Sequence, residues 1–259
     1  MMNRVLRILL LVPTLYLVAM PVYYQHWHYS KPCNKIKITI IDSSKYHFIT
    51  RRDIQNTIVS NNGSILGKPV KEIPVSEIEN TMSRYRELKT AEAYMSIDGT
   101  LHIYADQRIP IMRVMANNGS DYYVDNEGVV VRRRNLYTPR LHIVEGNVNI
   151  SQAMLNGVSI LDTSIKNSIL KDIFYLVNYI NRDDFWSAQI DQIFVDGNDE
   201  IDLIPRVGNH TVHLGSAENF ETKLSILEKF YDKVLPEVGW NKYSVINLAF
   251  KDQIVCKRR

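Results

Sequence analysis

The chain has 259 residues, of which 45% are hydrophobic and 23% charged, so it can form one or two domains with ordinary buried cores. Its two cysteines exclude the multiply bridged framework of a small secreted domain. A net charge of +3 gives little support to nucleic-acid binding, and we interpret the basic runs at 132–134 and 257–259 as a solvated loop and a solvated tail.

An apolar segment without charged side chains lies near the start of the sequence, from Ile8 to Tyr24. At about 1.5 Å rise per residue, it reaches the lower limit for a helix that crosses a bilayer. Arg4 and Arg7 precede it, so the positive-inside rule places the N-terminus in the cytoplasm. We predict a cytoplasmic tail over residues 1–7, a transmembrane helix with its interface over 8–28, and the bulk of the chain in the periplasm.

A cleaved signal peptide is the alternative interpretation of this segment. Cleavage requires small residues after the apolar core, whereas Met20, Pro21, Tyr23 and Tyr24 occupy that region. The segment is therefore predicted to remain as an anchor in the inner membrane. A domain outside the cytoplasm has no access to ATP or NAD, which argues against enzymes that use these cofactors.

A first exported module is predicted after the anchor. Alternating isoleucines over 36–40 are typical of a half-buried strand. Thr50 and Asp53 form a capping-box pattern at the start of a helix over 51–60. Asp98-Gly99 suits the turn of a hairpin. A second helix and the two hairpin strands are predicted at Ser76–Glu87, Ala91–Ile97 and Leu101–Gln107.

Short strands and two long amphipathic helices are predicted beyond Pro110. Isoleucines and a valine at helical spacing from Ile165 to Ile180 indicate one helix, and apolar residues spaced by three and four indicate another over 218–235. Strands are expected at 121–125, 129–133, 141–144, 189–195, 201–206, 211–214, 244–250 and 253–256.

The residues offer no clear catalytic or metal-binding pattern. His210 and His213 are three apart in a predicted strand, a spacing that places them on opposite faces. Asp183, Asp184 and Asp191 are interpreted as helix caps or solvated turn residues rather than paired catalytic carboxylates. We therefore expect no enzymatic activity, no cofactor, no bound metal and no small-molecule substrate.

Several stretches resemble the FtsQ/DivIB family of bacterial cell division proteins. The segments 48–54 and 75–79 are similar to the two helix starts of that family's POTRA domain, and 91–94 with 99–103 to its hairpin. Gln107-Arg108-Ile109-Pro110 resembles the junction between the family's two exported domains. Tyr122 to Gly128 resembles the family's D-x-x-G hairpin, and 245–250 occupies the place of a late strand.

The resemblance implies an α+β fold in three parts. It comprises one N-terminal transmembrane helix, a POTRA domain (β-α-α-β-β) over residues 34–107, and a C-terminal mixed β-sheet domain with two flanking helices over 108–259. It also implies a scaffold of the divisome at the division septum, and not an enzyme. The implied partners are FtsB-like and FtsL-like single-pass division proteins.

The end of the sequence is the expected partner site. Phe250 to Cys256 is predicted to be a strand at the sheet edge, whose unpaired backbone groups can accept a partner strand. By position in the family, the partner-facing candidates are Phe250, Asp252, Gln253, Ile254, Val255 and Cys256. A plain closing strand is the simpler alternative. Two other functions stay open: a membrane-anchored POTRA protein of outer-membrane assembly or secretion, and a periplasmic cell-wall hydrolase.

Overall fold

The computed structural model describes residues 15–21, 31–41, 48–133, 139–251 and 253–259. The chain divides into two compact units, Met1–Gln107 and Arg108–Arg259. Of the predicted anchor over 8–28, the helical stretch 15–21 is described, and the remainder lies outside the described residues, as does the tail over 1–7. Among the described residues, no helix is both long and apolar enough to cross a membrane.

The first unit has the predicted element order of strand, helix, helix, strand and strand. Its sheet has the order β1-β3-β2, in which β1 runs parallel and β2 antiparallel to β3. A short 3-10 turn covers Val70–Glu72. The elements are β1 (Lys35–Ile41), α1 (Arg51–Asn62), α2 (Val75–Ser83), β2 (Leu88–Met95) and β3 (Thr100–Gln107).

The predicted capping box starts helix α1. The backbone amide of Asp53 donates to Thr50 Oγ1 over 3.2 Å, and the amide of Thr50 donates to Asp53 Oδ2 over 2.9 Å. These reciprocal bonds satisfy two amides that a helix start leaves without partners. The helix then buries Ile54 and Ile58 against the sheet. A local polar contact thus sets where the buried face of α1 begins.

Thr50→Ala is expected to lower the free energy of unfolding of the first unit by about 1 kcal/mol, because the first turn of α1 loses its acceptor. Native-state hydrogen exchange of the α1 amides measures this unit by itself. Asn56→Ala, on the exposed side of the same helix, is the control and should not destabilise, since alanine is the better helix former. Equal effects of the two substitutions would contradict the capping role.

The second unit is built on a nine-stranded mixed sheet of order β12-β11-β10-β9-β8-β7-β4-β5-β6. The pairs β4–β7, β7–β8 and β10–β11 are parallel, and the others are antiparallel. The strands are β4 (Pro110–Met115), β5 (Asp121–Asp125), β6 (Val130–Arg132), β7 (His142–Gly146), β8 (Ile190–Val195), β9 (Ile201–Pro205), β10 (Thr211–Gly215), β11 (Tyr243–Asn247) and β12 (Val255–Arg258).

Two long helices contribute most of the helical side chains in the core of this unit. They are α4 (Ile169–Arg182) and α6 (Phe220–Lys233), and the shorter helices are α3 (Gln152–Leu155), α5 (Asp184–Gln189) and α7 (Leu235–Val238). Side chains of α4 and α6, including Ile173, Val177 and Leu224, share one buried cluster with strand residues such as Leu203 and Ile246. Each such buried aliphatic side chain contributes roughly 1.5–3 kcal/mol of apolar burial.

The predicted start of the first long helix is wrong by one turn. Periodicity begins it at Ile165, whereas α4 begins at Ile169. Asn167 has a φ of 52°, in the left-handed region, which a right-handed helix does not contain. Ile165 still packs against the core from the preceding loop. The apolar spacing therefore predicted four helical residues too many, because Ile165 packs against the same core from the loop as the α4 residues do from the helix.

A buried carboxylate organises the β5–β6 hairpin. Asp125 is 2% exposed, and its Oδ1 accepts from the backbone amides of Glu127 (2.9 Å) and Val129 (2.7 Å). Arg108 Nη1 donates to Asp125 Oδ2 over 2.6 Å. The first residue of the second unit is thereby joined to the tip of the hairpin.

The same hairpin forms hydrogen bonds with the loop that precedes α4. Gly128 has a φ of 76°, and a Cβ atom there would lie 2.7 Å from Ser159 Oγ. Ser159 Oγ donates to the carbonyl of Glu127 over 2.7 Å, and the amide of Ile160 donates to that of Gly128 over 2.8 Å. Glycine is needed at this position both for the backbone angle and for the close approach.

Candidate partner-binding edge

Strand β12 forms one end of the nine-stranded sheet. It is antiparallel to β11, with Val255 opposite Asn247, Cys256 opposite Ile246 and Lys257 opposite Val245. No other described strand pairs with it. A strand in this position has a second row of backbone amides and carbonyls that the sheet itself does not use.

The hydrogen bonding of β11 shows which residues of β12 face outward. The amide of Leu248 donates to the carbonyl of His213 over 2.8 Å, so Leu248 and Ile246 direct their backbone groups towards β10. Asn247 and Val245 therefore direct theirs towards β12, where they pair with Val255 and Lys257. By the alternation of an extended strand, the amide and carbonyl of Cys256 point away from the sheet.

The side chains of this edge also alternate between two environments. Ile254 and Cys256 are partly buried and pack against the core. Val255 is 45% exposed on the opposite face, next to the exposed Lys257. Burial raises the pKa of the Cys256 thiol, so at neutral pH it is protonated and contributes apolar contact. The edge thus combines an accessible valine with outward-facing backbone groups.

The predicted strand over Phe250 to Cys256 is wrong in its bounds. β12 covers Val255–Arg258, while Phe250 lies in the turn after β11, is 50% exposed, and is followed by the turn residue Lys251. Gln253 is exposed and, like Ile254, precedes the strand, whereas Asp252 lies outside the described residues. Asn247 Oδ1 accepts from the amide of Ala249 over 2.8 Å, a local turn bond that accompanies the end of β11.

The interpretation of 257–259 as a solvated tail is correct for the exposure of these residues and wrong for their structure, because they do not form a free tail. Lys257 and Arg258 are part of β12. Arg259 is fixed at both ends, because its backbone amide donates to the carbonyl of Lys242 (3.2 Å) and its Nη2 to that of Asn209 (2.5 Å). The exposed charges that suggested a tail instead make the edge at β12 positively charged. Charged side chains on an edge strand also limit its pairing with unrelated strands.

A surface depression of about 400 Å³ lies beside the residues that lead into β12. Lys223 in its wall donates from Nζ to the carbonyls of Leu214 (2.9 Å) and Ser216 (2.7 Å), and desolvation lowers the pKa of its amine. Sequence reasoning missed the depression because its two sides are distant in the chain. The lining residues are Ser216, Glu218, Asn219, Thr222, Lys223, Ile226, Leu248, Ala249, Phe250, Lys251 and Gln253.

The residues examined for chemistry have structural partners. His210 is buried and its Nε2 lies 2.8 Å from the Tyr231 hydroxyl, while His213 Nδ1 lies 2.7 Å from Asp202 Oδ1. Asp183 caps α5 by accepting from the Trp186 amide. Asp191 forms an ion pair with Arg206 at 2.6 Å. Within the described ranges, no three histidine, cysteine, aspartate or glutamate side chains are grouped so that they could hold a metal ion.

Models of known protein families match both units. A family model described as FtsQ/DivIB, C-terminal related, matches residues 109–257, which is more than half of the chain. A model described as a POTRA-like domain matches residues 31–106. No curated protein matched the chain.

Proposed function

Because this chain belongs to the FtsQ/DivIB C-terminal-related family, we propose that it is a scaffold of bacterial cell division that acts at the septum by binding other proteins. The proposal is non-enzymatic: the two units offer binding surfaces, and the reaction chemistry of division belongs to other proteins. The relevant partners are FtsB-like and FtsL-like single-pass proteins.

The open edge of β12 is the observation that supports this role best. The outward amide and carbonyl of Cys256 can each form a hydrogen bond with an added strand, and Val255 offers it an apolar contact. The partner-facing set is Phe250, Asp252, Gln253, Ile254, Val255 and Cys256. Ile254 and Cys256 act through the backbone, since their side chains pack inward, and Phe250 and Gln253 act from the adjoining depression.

The charge of the edge favours an acidic partner segment. Lys257 and Arg258 are exposed in β12, and Lys251 lines the depression. Opposite charges across an interface accelerate encounter and disfavour wrong partners more than they add affinity. The partner strand is therefore proposed to carry aspartate or glutamate residues beside an apolar position that meets Val255.

The proposed topology is that of a single-pass inner-membrane protein. Residues 1–7 form the cytoplasmic tail, 8–28 the transmembrane helix and its interface, 34–107 the POTRA domain, and 108–259 the β domain in the periplasm. The aromatic residues Tyr23, Tyr24 and Trp27 support this placement, because such side chains favour the membrane interface.

Copurification from gently solubilised membranes tests the proposal. The full-length chain is compared with a version that ends at Phe250 and so lacks β12. We expect small single-pass coiled-coil proteins with the full chain and not with the shortened one. Their presence with both would support the division role and reject the edge. Outer-membrane barrels or their chaperones in their place would reject the division role and support the outer-membrane alternative.

A further inference from the structure

Strand β2 lies at one end of the sheet of the first unit, where no other described strand pairs with it, and has features that favour unwanted pairing. It has eight residues, contains no proline and lies at one end of the order β1-β3-β2. The amide of Ser96 donates to the carbonyl of Thr100 over 3.0 Å, so alternation directs the backbone of Tyr94 and Glu92 towards β3. The amides of Ala91, Ala93 and Met95 therefore face outward.

The central outward amide is already occupied. The amide of Ala93 donates to Glu79 Oε1 over 2.8 Å, and Glu79 belongs to helix α2, which packs beside β2. Ile78, which precedes Glu79, and Met82, which follows it by three residues, are buried in the core, so α2 is held against the sheet. The backbone of Glu79 is thereby held beside the strand, and only its side-chain torsions have to be ordered when the carboxylate accepts from the Ala93 amide.

We propose that Glu79 blocks strand addition at β2, so that the first unit cannot pair with β2 of a second copy of this chain. This inference does not depend on the proposed division role. An added strand would have to place a carbonyl oxygen where the Glu79 carboxylate now lies. A charged acceptor binds an amide more strongly than a carbonyl does, and the partner carbonyl would also meet its negative charge.

A second copy of this chain is the partner that we expect to pair with β2 when Glu79 does not block it. Pairing of two β2 strands about a twofold axis brings the same surface together on both copies, and no further sequence requirement has to be met. Ala91 and Ala93 have small side chains directed towards the helices, so they present no bulk at the edge. Removal of the carboxylate thus leaves an edge of the kind that self-associates.

The test compares four forms of the full-length chain in detergent: the natural chain, Glu79→Ala, Glu79→Asp and Glu79→Gln. Hydrogen exchange of the Ala93 amide reports the contact, and sedimentation reports self-association. Glu79→Gln keeps an acceptor oxygen at the same distance but removes the charge, so it separates the effect of the hydrogen bond from that of the charge. Glu79→Asp keeps the charge but withdraws it by one methylene, with little risk to folding.

In Glu79→Ala and Glu79→Asp we expect the Ala93 amide to exchange at least about tenfold faster at low concentration. At high concentration both should form dimers that protect the amide again. Glu79→Gln, which keeps the acceptor oxygen but not the charge, should fall between the natural chain and Glu79→Ala in both exchange and self-association. Unchanged exchange in both Ala and Asp variants would overturn the contact. Faster exchange without dimers would overturn the blocking role, because something else would then close the edge.

Discussion

Cys256→Pro is expected to weaken partner capture by the second unit while β12 stays in the sheet. The amide at this position points away from β11, so proline removes a donor that only an added strand would use. The ladder to β11 runs through Val255 and Lys257, which keep their amides. Proline also favours extended backbone at the preceding residue, and Val255 is already in a strand.

The loss should amount to about 1–3 kcal/mol of binding free energy, or roughly 5- to 150-fold in Kd, because the partner is left with an unpaired buried carbonyl. Titration of the purified chain with its copurifying partner measures it. Cys256→Val keeps the amide and an apolar side chain and should bind within about twofold of the natural chain. Equal binding by the two variants would show that the partner does not add a strand at β12.

Asp125→Ala is expected to have the largest effect on stability, a loss of about 3–5 kcal/mol from the second unit. The substitution removes the acceptor of two backbone amides and of Arg108 together. Arg108 is 17% exposed, so water compensates its charge only in part. Urea denaturation followed by tryptophan fluorescence measures the effect, since Trp186 and Trp240 both belong to this unit.

Glu127→Ala provides the control in the same hairpin. Its carboxylate lies 3.5 Å from Arg108 and is 43% exposed, a geometry worth less than about 1 kcal/mol. A burial argument predicts a large difference between the two substitutions, whereas a simple count of charges on Arg108 predicts none. Similar denaturation midpoints would therefore reject the role assigned to the buried carboxylate.

Features that depend on neighbours in the sequence could be predicted well. The capping box at Thr50 and Asp53, the isoleucine alternation of β1 and the Asp98-Gly99 hairpin each involve residues within a few positions of one another. Their physical causes act before any tertiary contact forms. The resemblance to a family also holds, since an FtsQ/DivIB C-terminal-related model matches the second unit and a POTRA-like model matches most of the first.

The candidate site was predicted less well because distant residues define it. The final strand was predicted at 253–256, but its register comes from its pairing with Asn247 and Val245 of β11. The charged residues at 257–259 suggested a solvated tail, although the edge of a sheet also accommodates charged side chains that its centre does not. The bond from Ala93 to Glu79 joins positions 14 apart in different elements, and no local pattern indicates it.

The parallel pairs of the large sheet bear on how fast the edge can form. Met112 pairs with His142, Ile143 with Gln192, and Thr211 with Val245, so each pair requires a long loop to close before its ladder adds stability. Folds rich in such non-local contacts fold slowly. β12 docks on β11, which reaches the sheet only through its parallel pairing with β10. The strand addition that we propose at this edge therefore requires the non-local pairing of β10 with β11 to be in place, and we expect a chain that has formed only its local hairpins not to bind a partner there.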